Sequence, residues 1–321
     1  RIDPDALNRT DQVTRRSLIS EAASHADQLR NRTLEYGVDP MLGIHLHMVN
    51  FIPQLTLQTP EHAEAMVAKA SRTGRMFDQA IERLRQGIAN DRTPPAILVE
   101  KSLGQIDNYL ASPIEADGFM RIAPPEGMDE AAKSAWRDQL AEQVETVVRP
   151  ALARYRAMVA AEVLPAARPQ EKAGLCWLPD GDEVYARAVR SFTSLDLDPK
   201  TVHQSGLDDI AQLEDEYREM AAGVLGTTDI GEIYSRLRND PELRFTTSEE
   251  VQASGQDALD RANAAVPQWF GRLPKTPCIL QPVPEVGAAD ATIAYYLPPA
   301  TVGSRPGIFF INITEPTTRT R

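Results

Sequence analysis

The sequence predicts a mainly α-helical protein: a multi-helix array with a small antiparallel β-sheet near its C-terminus. Three observations support this class. Apolar residues recur at helical spacing through most of the chain, helix-start signals precede those stretches, and β-rich runs bounded by Gly and Pro appear only after about residue 276. We therefore divide the 321 residues into a helical body, 1–275, and a β-rich segment, 276–321, within one structural domain.

Residues 3–36 read as the first helix, with Leu7, Val13, Leu18, Ile19, Ala22 and Leu29 on its apolar stripe and Gly37 as its stop. The stretch from Gly37 to Thr59 carries Pro40 and Pro53 and reads as an ordered apolar loop. Thr59, Pro60 and Glu61 supply an N-cap, a first-turn proline and a first-turn acid, opening a helix that runs to about Asn90. Pro94 and Pro95 precede a helix bearing Ile97, Leu98, Leu103, Ile106 and Leu110, and three prolines and two glycines make 113–128 a connection.

A long stripe follows, from Trp136 through Leu140, Val144, Val147, Leu152 and Tyr155 to Val159, with Pro150 expected to kink or split it. Beyond a Pro/Gly-rich link at 165–181, Asp198 and Pro199 open an amphipathic helix. Its expected apolar face is Val202, Ile210, Leu213, Tyr217, Met220 and Val224. Thr247 and Glu250 have capping-box spacing, for a helix ending before Pro267. Runs at 277–283, 291–297 and 307–313 are the three strands.

Composition narrows the function classes. Apolar residues make up 42% and charged residues 25%, ordinary for a globular chain. A formal charge of −12 disfavours nucleic acid as a partner, since phosphate binding needs clustered Lys and Arg. No apolar run approaches the ~18 residues of a membrane span, and a cytoplasmic location is expected. Cys176 and Cys278 sit far apart in sequence and are expected to be buried free thiols rather than a disulfide, and no Cys spacing suits a zinc site.

The sequence contains no HExxH, GxSxG, Walker or Rossmann pattern, so no catalytic residue and no metal ligand is assigned within this chain. His45 and His47 could face one side of a strand, but two imidazoles without a third ligand make a poor metal site, and core or hydrogen-bonded roles are expected. His25 and His62 read as solvated. The acidic run Glu214, Asp215 and Glu216 reads as a wet helix face, because neighbours on a helix point about 100° apart. In the β-rich segment, Tyr295 and Tyr296 followed by the turn Gly303–Gly307 suggest a hairpin. An exposed strand edge there could align an extended peptide, with Arg305 orienting a carbonyl or carboxylate, or capping the turn.

Three sets of residues together resemble the domain-of-unknown-function 885 family. The first is GDEVY at 181–185, RSFT at 190–193 and VHQSGL at 202–207. The second is IERLRQGI at 81–88 with Pro94 and Pro95, and the third is AYY at 294–296, GSRPG at 303–307 and FFIN at 309–312. The family commonly has an acidic residue before that turn, where this chain has Val302.

The resemblance implies a part of a larger, gluzincin-like helical peptidase fold, distantly similar to carboxypeptidase Taq. Its zinc motif, H-E-x-x-P-G-H-H, would follow soon after the last strand and so lie beyond Arg321. Zinc is then expected in the full-length protein and not on this chain alone. The implied activity is hydrolysis of a peptide or amide-containing small substrate by metal-activated water, with this chain as cleft wall. Tyr295, Tyr296, Arg305, Asn312 and His203 are the expected substrate contacts. The alternatives are a non-catalytic helical binding or scaffold protein, or an inactive family member.

Overall fold

The computed structural model describes residues 3–284, 288, 292–300, 303 and 305–321. Eleven helices precede three strands among these residues. The first helix, α1 (Arg9–Arg30), is capped by Asn8, whose side-chain oxygen accepts from the Asp11 N–H. It is shorter than the sequence suggests, and its expected stripe is not a core face. Val13, Leu18, Ile19 and Leu29 are exposed, and the one buried residue on α1 is Asp27. The loop 37–59 is ordered, as expected, and sends Val38, Leu46, Met48 and Ile52 into the core.

The Thr59 cap holds: its hydroxyl accepts from the His62 N–H at 3.4 Å, with Pro60 in the first turn. The single helix expected to Asn90 is two, α2 (Pro60–Ser71) and α3 (Thr73–Ala89), because Arg72 ends one and starts the other. Helix α4 (Ala96–Ala111) starts after Pro95 as expected.

The long stripe forms the spine of the core. Helices α5 (Glu130–Gln143), α6 (Arg149–Met158) and α7 (Leu164–Ala166) run on through π turns at Val144–Val148 and Val159–Val163. Each π turn ends two residues before a proline, Pro150 and Pro165. A helical proline lacks an N–H and crowds the carbonyl four residues back, and a locally widened turn relieves both problems. The Arg149 N–H accordingly reaches back five residues to the Val144 carbonyl, and Leu164 does the same to Val159. Pro150 therefore widens the rod rather than splitting it.

Helices α8 (Gly181–Thr193), α9 (Pro199–Val224), α10 (Ile230–Asn239) and α11 (Ser248–Trp269) complete the body. The Asp198 cap of α9 and the Thr247 cap of α11 are as expected, but α11 runs through Pro267 instead of ending before it. The expected apolar face of α9 is exposed along its length.

Strands β1 (Cys278–Pro282), β2 (Ala294–Leu297) and β3 (Gly307–Ile311) match the three expected runs. The sheet is mixed, not antiparallel throughout. Its order is β1-β3-β2, with β3 parallel to β1 and antiparallel to β2. A parallel pair needs a crossover, which the long connection carrying β2 supplies. Strand β3 is thus central, and the free edges belong to β1 and β2. Ile308 and Phe310 pack with Val283 and Ala288 in a small second core. Both cysteines are free, but Cys176 is exposed and Cys278 only half-buried.

Candidate functional site

A cleft of about 1180 Å³ lies between α1 and α8 on one wall and α3 with the 33–47 loop on the other. A glycine beside the lining residue Gln86 sets the backbone behind it. A Cβ at Gly87 would lie 2.0 Å from the Glu35 carbonyl oxygen, so only glycine lets the 33–35 turn rest on α3. That contact places Glu35 beside Arg92, both almost fully buried, with Oε2 to Nε at 3.5 Å. Arg32 donates to the other Glu35 oxygen at 2.6 Å, and Arg92 also pairs with Asp180 and donates to the Asn31 carbonyl. The guanidinium of Arg92 lies 5.5 Å from the Tyr36 ring centre, and burial pushes the Tyr36 phenol up. These buried charges pair with one another, although Glu35 Oε2 and Arg92 Nε make no hydrogen bond.

The opposite wall is zipped by polar groups. Asp27 accepts from Arg190 at 2.8 Å and from Arg30 at 2.9 Å, and these bonds, the Arg190 one foremost, hold its carboxyl below the usual range. Arg187 donates to Asn31 Oδ1 at 2.8 Å, and the Ser24 and Ser191 hydroxyls bond each other. The cleft lining also carries Leu34, Leu42 and Phe192, and all three are exposed. At the far end Arg168 ties the 168–174 loop down by donating to the carbonyls of Thr93, Lys172 and Gly174.

None of the five residues singled out in the sequence lines this cleft. Tyr295 stacks on Phe310 at 4.8 Å and is half-buried, and burial pushes its phenol up. Tyr296 projects from the other face of β2 and is exposed, with Gly307 beneath it: a Cβ there would meet its hydroxyl at 2.5 Å. Arg305 donates to the carbonyls of Pro298 at 2.8 Å and Pro306 at 3.0 Å, closing the β2–β3 connection. Asn312 is buried, donating to the Ala288 carbonyl and accepting from Thr314. His203 lies exposed near the start of α9. Val302 and Ser304 fall outside the described residues. The substrate-aligning edge expected at 307–313 is absent, because both sides of β3 are paired.

His45 sits at a turn and His47 opens the π turn His47–Phe51, neither on a strand. Gln105 donates to the Pro40 carbonyl, which leaves its Oε1 to accept from His45 Nε2 at 2.9 Å. The other nitrogen, Nδ1, is buried with no hydrogen-bond partner, and burial pushes the His45 pKa down. His25 and His62 are exposed. Glu214 and Asp215 pair with Arg218 on a solvated face. Among the described residues, no three His, Cys, Asp or Glu side chains converge to hold a metal, and no helix is long and apolar enough to cross a membrane.

The comparisons agree with this picture at the level of fold. A family model described as "Bacterial protein of unknown function (DUF885)" matches residues 1–321. No curated protein matches. A solved structure, described as "the putative lipoprotein from Colwellia psychrerythraea", superposes with a TM-score of 0.74 at 20% identity, over 89% of this chain and 50% of that one. The chain thus spans about half the length of that neighbour.

Proposed function

Because the chain belongs to the DUF885 family, we propose that it forms the substrate-binding wall of a hydrolase acting on peptides or small amides. The observation that carries this reading is the cleft. Its volume of about 1180 Å³ exceeds the ~300–1,000 Å³ of ordinary small-molecule sites. Its lining combines apolar Leu34, Leu42 and Phe192 with the charged Arg83, Arg187 and Asp39. That mixture suits a short peptide, which brings apolar side chains and charged termini together.

The zinc implied by the sequence resemblance does not fit the described residues, which offer no converging ligand set. No hydrolytic step is therefore assigned to this chain, and the metal would be held by other residues. Tyr296, exposed on an edge strand, remains the sequence candidate best placed to meet a ligand. Tyr295, Arg305, Asn312 and His203 stay in the proposal as residues that shape or border its surroundings.

Fluorescent short peptides titrated onto the 321-residue chain test the cleft. Phe192→Ala, at a side chain 91% exposed and so without a folding role, should weaken binding about tenfold, or about 1.4 kcal/mol. Absence of binding, or binding indifferent to Phe192, removes the reading. The natural gene product should release amine from peptides in a chelator-sensitive way. Binding without such release would favour the scaffold alternative, which the exposed apolar face of α9 supports independently. The cytoplasmic location expected from the sequence competes with an envelope location, which the neighbour's description suggests. Cell fractionation separates them.

A further inference from the structure

We propose that the exposed face of α9 is a docking surface for an amphipathic helix with basic flanks. Its source is polypeptide of the kind that makes up the unmatched half of the Colwellia chain. Ile210, Leu213, Tyr217, Met220 and Val224 follow alternating steps of three and four, the spacing of a helix-pairing seam. They are 54%, 51%, 38%, 60% and 82% exposed. The seam spans four turns, about 21 Å at ~1.5 Å per residue. Isolated exposed apolar side chains are ordinary, but a continuous seam of this length marks an interaction surface.

The geometry selects the occupant. Helix α10 covers only one side of the seam: Ala221 is buried and Tyr217 meets Tyr234 edge-on at 5.9 Å. On the open side the seam is bordered by Asp209 and Glu216, by helical position. Among the described residues these two form no ion pair, whereas Glu214 and Asp215 share Arg218. A partner helix carrying Lys or Arg along its flank would neutralise that border. A second copy would set acid against acid, in a chain whose net charge is already −12, and an anionic membrane surface would be repelled as well. Gly206, one step before Ile210 on the same stripe, has open space where a Cβ would stand, so a partner backbone can approach closely there. The neighbour, matched over only 50% of its length, shows that this fold occurs joined to as much polypeptide again.

Thiol labelling tests the proposal. Met220→Cys is placed in a Cys176→Ser background, and its maleimide reaction is followed by mass spectrometry in the 321-residue chain and in the natural gene product. Labelling should be at least tenfold slower in the natural product. Equal rates overturn the proposal, as does a natural product with no residues beyond these 321. In the 321-residue chain the rate should not depend on protein concentration; slowing at high concentration would identify a second copy as the occupant and overturn it too. A second arm uses a synthetic helix with Leu at the seam positions and Lys at the flanks. Its affinity should fall at least tenfold in Leu213→Glu/Met220→Glu, with circular dichroism unchanged, and fall as salt is raised. A Glu-flanked twin binding equally well would overturn the charge argument.

Discussion

At the scale of single residues, two glycines show how much one methyl group decides. A Cβ at Gly87 would meet the Glu35 carbonyl at 2.0 Å, and one at Gly181 would meet the Leu175 carbonyl at 2.1 Å. Backbone cannot rotate away as a side chain can, so Gly87→Ala and Gly181→Ala should each cost about 3 kcal/mol, the upper end of overpacking. Urea unfolding checks this, and a cost under about 1 kcal/mol would contradict the packing. Both glycines stood out in the sequence only as parts of a resemblance, because the carbonyls that exclude a Cβ belong to other segments. His45 gives a pH-dependent counterpart. Its folded pKa lies below the unfolded 6.5, so its contribution is complete above pH 6.5 and is lost as pH falls through the folded value. The melting temperature should drop on acidification below pH 6.5, and His45→Gln should flatten that part of the profile. An unchanged profile would mean that His45 is not the group responsible.

At the scale of elements, the spine of the core is the instructive case. Eight of its ten buried residues, Trp136, Leu140, Val144, Val148, Leu152, Tyr155, Val159 and Val163, recur every 3.9 residues or so, longer than the 3.6 of an α-helix. An unmodified helix would rotate that stripe out of the core, and the two π turns bring it back. The prolines behind those turns and the long period are both visible in the sequence. The caps at Thr59, Asp198 and Thr247 were equally legible, since a cap is a local interaction. The apolar stripes of α1 and α9 were legible as stripes, but their partners were not, because a pattern states that a face wants burial without stating what buries it. Removing the α11 cap by Thr247→Ala should cost about 1 kcal/mol. In the same cap the Thr246 N–H and hydroxyl, followed by Arg321, bring the Glu250 pKa from 4.5 to about 2. That support is present above pH 4.5 and lost as pH falls toward 2, and Glu250→Gln should remove this acid sensitivity from α11, as followed by NMR of its first turn. In the sheet, Arg305→Ala deletes two bonds to proline carbonyls and should destabilise by about 1–2 kcal/mol. A melt identical to the parent's would show that the connection holds without them.

At the scale of the whole molecule, the cleft is where sequence reasoning fell shortest. The residues that build it come from positions near 24–39, 79–87 and 184–192, and nothing local announces that these segments meet. The signal closest to hand was the run RSFT at 190–193, whose Ser191 and Phe192 line the cleft while Arg190 pairs with the lining residue Asp27. The tyrosines and the turn at the other end drew attention because their residue types look chemical. In the fold they stack, bridge and cap. The isolated chain should carry no stoichiometric zinc after purification, and metal analysis finding one equivalent would require ligands that the described residues do not bring together.

The polar zipper between α1 and α8 has a dynamic consequence. With Asp27 its one buried residue, α1 is held by ion pairs and hydroxyls rather than by packing, and such contacts open at low free-energy cost. One wall of the cleft is therefore free to breathe while the other, anchored on Phe77 and Leu84 of α3, stays fixed. Amide exchange should be faster in α1 than in α3, and raising salt should speed α1 alone. A ligand wider than the resting cleft could then enter by loosening a few charges instead of unfolding a core.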